Sequence, residues 1–140
     1  MTPVIERETA LPIKSDLDVL KARQQGKELA AALRFTNTEL TIIATAISEI
    51  ARNTVLYAKT GCLQLKVINQ DQRRGLLIII KDHGPGIADL DLAMQDGYST
   101  SRGLGIGLPG ARRLMDEFDI SSEVGKGTTI TMTKWERTKL

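Results

Sequence analysis

Cysteine, histidine and long apolar runs are all scarce in this chain, and each scarcity argues against a class of function. The single cysteine, Cys62, cannot form a disulfide within the chain, which fits a reducing compartment and a structural role. The longest apolar runs, such as residues 76–80, fall far short of the roughly 20 residues needed to cross a bilayer. The N-terminus has no basic segment followed by an apolar one, so we expect a cytoplasmic protein without a membrane role.

An excess of charge of one sign is also missing. The chain has 19 lysines and arginines against 17 acidic side chains, a formal net charge of +2. The basic residues are scattered, whereas a nucleic-acid-binding face needs a basic patch, so we expect no nucleic-acid partner. The one histidine, His83, has no second histidine or cysteine pair with which to share a transition metal. We therefore predict no metal site made of protein ligands alone.

The order of apolar and polar residues predicts one domain over residues 1–140. Residues 1–12 suggest an edge strand, because a strand that ends in proline is best placed at a sheet edge. Ser15 followed by Asp18 predicts a capping box that begins a first helix. Thr38 predicts the start of a second, longer helix that runs to about Ala58.

The rest of the chain predicts two hairpins separated by helical segments. Strand-like residues 63–67 and 76–80 flank a polar turn at 70–75. A short helix near 90–94, a glycine-punctuated loop, a helix marked by Leu108 and Phe118, and a closing hairpin that turns at 125–127 follow. Strict β-α-β alternation is missing. We therefore predict an α+β fold, a two-layer α/β sandwich with a mixed, mostly antiparallel sheet and helices on one face.

The second helix carries two polar residues where a charge would be costly. At 100° per residue, Glu49 and Asn53 lie about 40° apart and nearly opposite the main apolar face. They are not on the predicted solvent face, which includes Ser48 and Arg52, but between apolar neighbours. The floor of a pocket would explain this position. An exposed glutamate in a helix is an equally good interpretation of the spacing alone.

Two glycine-rich segments could hold a nucleotide. Asp82 ends an apolar strand, and Gly84 and Gly86 follow it, which would allow a sharp turn and close approach to a ligand. A plain turn is the alternative, but an aspartate there would suit the exocyclic amine of adenine, with Ile87 packed on the base. Residues 103–110 lead into a helix, so their backbone amides would face an anion such as phosphate.

Two familiar nucleotide motifs match only in part. Residues 105–110 fit the G-x-G-x-x-G dinucleotide fingerprint, but that motif follows a strand and opens a β-α-β unit, for which too few residues remain. Residues 125–128, Gly-Lys-Gly-Thr, lack the full spacing of a P-loop and indicate a turn between strands. We therefore predict neither of these sites.

Four elements stand in order along the chain, namely Glu49-x-x-x-Asn53, Asp82-x-Gly84-x-Gly86, Gly103-Leu104-Gly105-Ile106-Gly107 and Gly125-x-Gly127-Thr128. Their order and spacing resemble the N, G1, G2 and G3 boxes of the GHKL ATPase superfamily, whose domains have the Bergerat α/β sandwich. The resemblance implies that the chain binds ATP together with Mg²⁺. His83, where many relatives have an acidic residue or glutamine, departs from the pattern and leaves the adenine contact intact.

The resemblance also implies a role for each matching position. Glu49 would be the general base, and Asn53 would coordinate the Mg²⁺ that bridges the phosphates. Asp82 would bind the adenine amine with support from Thr128, and residues 95–107 would form the ATP lid. The residues expected to contact the phosphates are Arg102, Gly103, Leu104, Gly105, Ile106 and Gly107.

Within the superfamily, a free-standing kinase fits best. Gyrase B, Hsp90 and MutL work through further domains, and sensor histidine kinases need an acceptor histidine, whereas His83 lies in the G1 turn. Residues 46–53, 96–105 and 108–118 resemble the RsbT-type serine/threonine kinases, and more loosely the anti-sigma factor kinases of the RsbW and SpoIIAB type.

Resemblance to the RsbT type implies two kinds of protein partner. The kinase would phosphorylate STAS-domain proteins of a stressosome and, when released, activate a PP2C-type phosphatase by binding it. Two alternatives stay open. One is an anti-sigma factor kinase that sequesters a sigma factor or phosphorylates an anti-anti-sigma factor, and the other is a bare ATPase module.

Overall fold

The computed structural model describes residues 2–95 and 107–137. In chain order, the elements within these ranges are β1 (Val4–Ile13), α1 (Asp16–Ala31), α2 (Asn37–Tyr57), β2 (Gly61–Gln70), β3 (Arg73–Asp82), α3 (Leu90–Ala93), α4 (Gly107–Leu114), β4 (Glu117–Glu123) and β5 (Gly127–Trp135). The described strands form one sheet in the order β1-β2-β3-β5-β4, and each neighbouring pair is antiparallel.

The core lies between this sheet and the two long helices. Helices α1 and α2 pack on each other and on β1 and β2, and α4 packs against α2. Inward-facing side chains of the helices and the sheet, among them Ile43, Ile47, Leu65 and Ile78, join in one buried cluster. This arrangement confirms the predicted α+β sandwich. No helix in the described ranges is long and apolar enough to span a bilayer.

Strand β1 lies at an edge of the sheet, as predicted, and pairs only with β2 among the described strands. Helix α1 begins after Ser15, whose Oγ accepts a hydrogen bond from the Asp18 amide at 3.3 Å. The Asp18 carboxylate does not return a bond to the Ser15 amide but accepts one from the amide of Lys14 at 2.9 Å. The predicted capping box is therefore only half formed.

Helix α2 begins two residues earlier than predicted. Its N-cap is Thr36, whose hydroxyl accepts from the Glu39 amide at 3.1 Å while the Glu39 carboxylate accepts from the Thr36 amide at 3.0 Å. This reciprocal pair satisfies two backbone donors and sets the start of the helix. The prediction that Ser48 faces solvent was also wrong, because its hydroxyl is buried and donates to the Ala44 carbonyl at 2.9 Å.

Both hairpins are present, but two boundaries differ from the prediction. The β2–β3 turn consists of Asp71 and Gln72, with φ of 55° and 65°, so the strands extend further than expected. Helix α4 ends at Leu114 and Phe118 belongs to β4. The Asp116 carboxylate accepts from the Trp135 amide at 2.8 Å, which joins this segment to β5 in place of another helical turn.

Candidate functional site

A cavity of about 450 Å³ opens between the C-terminal half of α2 and the end of the sheet where β3 stops and β5 starts. Its volume falls in the range of roughly 300–1,000 Å³ that small-molecule sites occupy. Five of the predicted binding residues line it, and they are Asn53, Asp82, Gly86, Ile87 and Thr128. Ile80, Leu108 and Ile130 add apolar walls. The cavity thus combines a few polar groups with an apolar surface that suits a flat ring.

The two oxygens of Asp82 have different surroundings. Oδ1 accepts a hydrogen bond from the Gly84 amide at 2.9 Å and another from the Thr128 amide at 3.2 Å. These bonds join the turn after β3 to the start of β5. No described residue donates to Oδ2. One carboxylate oxygen therefore organises the site, and the other is available to a ligand donor.

Gly86 and Gly127 permit the close approach of two backbone segments, the turn after β3 and the β4–β5 hairpin. Gly86 has a φ of 76°, and a Cβ there would collide with the carbonyl of Glu123. Gly127 has a φ of 124°, and a Cβ there would collide with the carbonyl of Asp82. Both conformations are strained for any residue with a side chain. These glycines therefore bring the turn after β3 against the β4–β5 hairpin, which closes one side of the cavity.

Ser122 on β4 completes this side, and sequence reasoning missed it. Its Oγ accepts from the Ile87 amide at 2.7 Å and lies 2.8 Å from Thr128 Oγ1. The Gly125 amide adds a bond to the Pro85 carbonyl at 2.8 Å. A signal was available, because a hairpin that turns at residues 125–127 places Ser122 directly opposite Thr128.

Glu49 lies one helical turn before Asn53, beside the start of α4 and outside the cavity lining. Its side chain is only 12% exposed. Oε2 accepts from the Gly107 amide at 3.2 Å, and Oε1 accepts from Arg52 Nη1 at 3.2 Å. Asn53 lines the cavity, and its amide makes no hydrogen bond with another described residue. The predicted carboxylate and amide are thus neighbours at one rim of the site.

Most of the predicted lid lies outside the described residues. This applies to Arg102, Gly103, Leu104, Gly105 and Ile106, whose phosphate contacts remain predictions. Gly107 is described as the first residue of α4, with a φ of 69°. Its amide therefore lies at a helix N-terminus, where an anionic group is favoured, and the Glu49 carboxylate is one such group.

The fold and the site together define a class of protein. The sequence profile of the histidine kinase-like ATPase domain matches residues 13–134. The chain therefore belongs to the histidine kinase-like ATPase family, as the resemblance to the GHKL boxes predicted.

Within that family the chain is similar to a serine/threonine-protein kinase and to anti-sigma F factors. It is 45% identical over 130 residues to the serine/threonine-protein kinase RsbT of Bacillus subtilis, an alignment that covers 93% of this chain and 98% of that one. It is 33% identical over 120 residues to the anti-sigma F factor of Caldanaerobacter subterraneus, an alignment that covers 81% of this chain and 82% of that one. These similarities confirm the predicted enzyme class, a serine/threonine-protein kinase of the RsbT type with an ATP-using domain.

A solved structure supports the same fold. The RsbU and RsbW domains of a Mycobacterium tuberculosis protein match with a TM-score of 0.63 at 20% identity. The match covers 99% of this chain but only 34% of that one. At this identity the likeness speaks for the fold alone, and it agrees with the sandwich described above.

Proposed function

We propose that the chain transfers the γ-phosphoryl group of ATP to a serine or threonine of a STAS-domain protein in a cytoplasmic stressosome. Released from that partner, it activates a PP2C-type phosphatase by binding it. The observation that carries the proposal is the 45% identity to RsbT over nearly the whole of both chains. The cavity at the end of the sheet supports the proposal, because its lining suits a nucleotide base.

The base of ATP fits the closed side of the cavity. Asp82 Oδ2 is an acceptor without a described donor, which suits the exocyclic amine of adenine. Ile87 offers an apolar surface for the ring, and Thr128 lies beside the carboxylate. The backbone of Gly86 approaches closely because it has no side chain. Adenine bound here would leave room for its phosphates on the side of the cavity where Asn53 of α2 lies.

Asn53 is the residue we assign to Mg²⁺. When bound, Mg²⁺ neutralises charge on the phosphates during transfer. Its preferred ligands are oxygens, and the Asn53 amide oxygen is available at the rim of the cavity. The described ranges contain no group of three or more His, Cys, Asp or Glu side chains that could hold a metal. Asn53 would hold the ion through its amide oxygen, and phosphate and water oxygens would supply the other ligands.

Glu49 is the residue we assign to the incoming hydroxyl. In the transfer, the serine or threonine oxygen bonds to the γ-phosphorus, the bond to the β-phosphate oxygen breaks, ADP leaves, and the hydroxyl proton passes to Glu49. The bonds from Arg52 and Gly107 orient the carboxylate. Because positioning and charge stabilisation dominate phosphoryl transfer, Glu49 also serves to align the hydroxyl.

Radiolabelled transfer tests the proposed function. The chain is incubated with γ-labelled ATP and Mg²⁺, with and without a STAS-domain protein from the same organism. Label should appear on serine or threonine of the STAS protein. Steady release of labelled phosphate without any labelled protein would contradict the proposal and favour a bare ATPase module.

Similarity to anti-sigma F factors favours one second function. At 33% identity over most of both chains, the same fold could sequester a sigma factor or phosphorylate an anti-anti-sigma factor. A pull-down with the chain as bait, against sigma subunits and STAS proteins in parallel, separates the two functions. Retention of a sigma subunit, and not of the STAS protein of a stressosome, would favour the second function.

A further inference from the structure

Ser122 connects the two residues that we place beside the adenine base. Its Oγ accepts a hydrogen bond from the Ile87 amide at 2.7 Å and donates one to the Gly127 carbonyl at 3.2 Å. The same oxygen lies 2.8 Å from Thr128 Oγ1. Ser122 is not part of the cavity lining, whereas Ile87 and Thr128 are. Any influence of Ser122 on a ligand must therefore pass through these two neighbours.

The number of protons determines how the two hydroxyls share their bond. A serine hydroxyl has one proton to donate and two lone pairs that accept. A bond to the Gly127 carbonyl uses the Ser122 proton, and the bond from the Ile87 amide uses one lone pair. All three contacts of Ser122 Oγ are therefore satisfied together only if Thr128 is the donor to Ser122. With its proton directed at Ser122, Thr128 Oγ1 presents lone pairs alone to the cavity.

The base end of the cavity consequently carries two acceptors. Asp82 Oδ2 is one, since no described residue donates to it, and Thr128 Oγ1 is the other. Two acceptors suit the amine at position 6 of adenine, which has two hydrogens to donate. Hypoxanthine has a carbonyl oxygen at that position. Its lone pairs would face those of the protein, and the buried polar groups would be left unpaired.

We propose that Ser122 is a positioning residue for nucleobase selectivity. Ser122 accepts the hydrogen bond from the Thr128 hydroxyl, which leaves Thr128 Oγ1 as an acceptor. The base site therefore accepts a 6-amino purine and rejects a 6-oxo purine. The proposal rests on the proposed function, in which the adenine of ATP occupies this cavity. It extends that function by a residue that does not touch the nucleotide.

Replacing Ser122 should weaken selectivity more than affinity. In Ser122→Ala, the Thr128 hydroxyl loses its acceptor and can rotate to donate into the cavity, towards the carbonyl of an oxo purine. A gained hydrogen bond together with the removed repulsion should lower the selectivity for ATP over ITP about tenfold. The ratio should change mainly because ITP binds more tightly, since ATP keeps its contact with Asp82.

The test measures ATP and ITP affinities by titration calorimetry for the whole chain. Ser122→Ala and the isosteric Ser122→Cys should both lower the ratio of affinities, and Ser122→Thr, which keeps the hydroxyl, should retain it. Ser121→Ala is the matched control, because Ser121 lies next to Ser122 on the exposed face of β4. This control should leave the ratio at the wild-type value. Thermal unfolding shows that each variant is folded.

Two results would overturn the inference, and they differ in what else they overturn. Equal weakening of ATP and ITP binding in Ser122→Ala and Ser122→Cys, or no change in either affinity, would mean that Ser122 has no part in nucleobase selectivity. If Asp82→Asn left both the ATP affinity and the thermal stability at wild-type values, the adenine site itself would be refuted, and the proposed function would lose the site assigned to it.

Discussion

Replacing Asp82 with asparagine should weaken ATP binding about 10- to 150-fold while the chain stays folded. Oδ1 accepts from the amides of Gly84 at 2.9 Å and Thr128 at 3.2 Å, and Oδ2 has no donor among the described residues. Asparagine has the same shape but only one oxygen. If that oxygen stays at the Oδ1 position, both backbone bonds survive and the new amide donors face the donors of the adenine amine.

The magnitude follows from the bond that is lost. A hydrogen bond to a charged group contributes about 1.5–3 kcal/mol, and each 1.4 kcal/mol changes affinity about tenfold. In the opposite orientation, the asparagine oxygen would keep the nucleotide contact and its nitrogen would face two backbone amides. Each amide left without an acceptor costs about 1–3 kcal/mol, which would lower the free energy of unfolding. Either the affinity or the stability must therefore fall.

Titration calorimetry with ATP and thermal unfolding together measure both quantities. Asp89→Asn is the matched control, because Asp89 also lines the cavity and its carboxylate caps α3 by accepting from the Leu92 amide at 3.0 Å. Asparagine is about as good an N-cap as aspartate, so this control should bind ATP within about twofold of wild type. If Asp82→Asn matched wild type in both affinity and stability, the assignment of Asp82 would be refuted.

Three further predictions concern the metal, the hairpin and the helix start. Asn53→Ala should abolish the Mg²⁺ dependence of ATP binding, measured by titration with and without the ion; an unchanged dependence would remove Asn53 as ligand. Gly127→Ala should lower the free energy of unfolding by about 2 kcal/mol or more, while Gly125→Ala, with no atom within 4 Å of the added Cβ, should cost clearly less; equal losses in denaturant titrations would contradict this. Thr36→Ala should lower the free energy of unfolding by about 1 kcal/mol and the Tm by about 3 °C in a thermal scan. An unchanged Tm would argue against the capping box.

Much of the fold could be predicted because periodicity reports which face of an element is buried. The apolar face of α2, with Ile43, Ile47 and Ile50 fully buried, followed directly from helical spacing. Boundaries depend on individual hydrogen bonds, and the signal for the start of α2 is the glutamate three residues after Thr36. Thr36 and Thr38 both look like helix starts, and only the partner at Glu39 distinguishes them.

The end of α4 shows a different limit, because a tertiary contact overrides the local helical pattern. The helical pattern continues to Phe118, but the bond between Asp116 and the Trp135 amide brings this segment into the sheet.

The β2–β3 turn has two residues with positive φ, a conformation that normally calls for glycine or asparagine. Asp71 and Gln72 occupy it here, so composition alone predicted a longer turn.

In the candidate site, too, some residues could be predicted from the sequence and others could not. Its glycines and Asp82 could be found because they stand in recognisable order, and their contacts explain why those residue types are needed. Ser122 carries no such pattern, since it lies in an ordinary alternating strand and gains its position only from its register with Thr128. The contact of Glu49 with Gly107 likewise joins residues 58 positions apart, which no local pattern predicts.

The central claim is that the chain transfers phosphate to a protein acceptor with the help of the Glu49 carboxylate. The most direct test is to measure this transfer in the Glu49→Gln variant. Wild type and variant are saturated with ATP and Mg²⁺, mixed with the STAS partner, and followed through a single turnover. The account predicts ATP affinity within a few-fold of wild type and transfer that is slower by roughly 10²- to 10⁴-fold, the usual contribution of a positioned acid or base. Transfer at the wild-type rate would contradict the account, because a kinase using this site requires the carboxylate of Glu49.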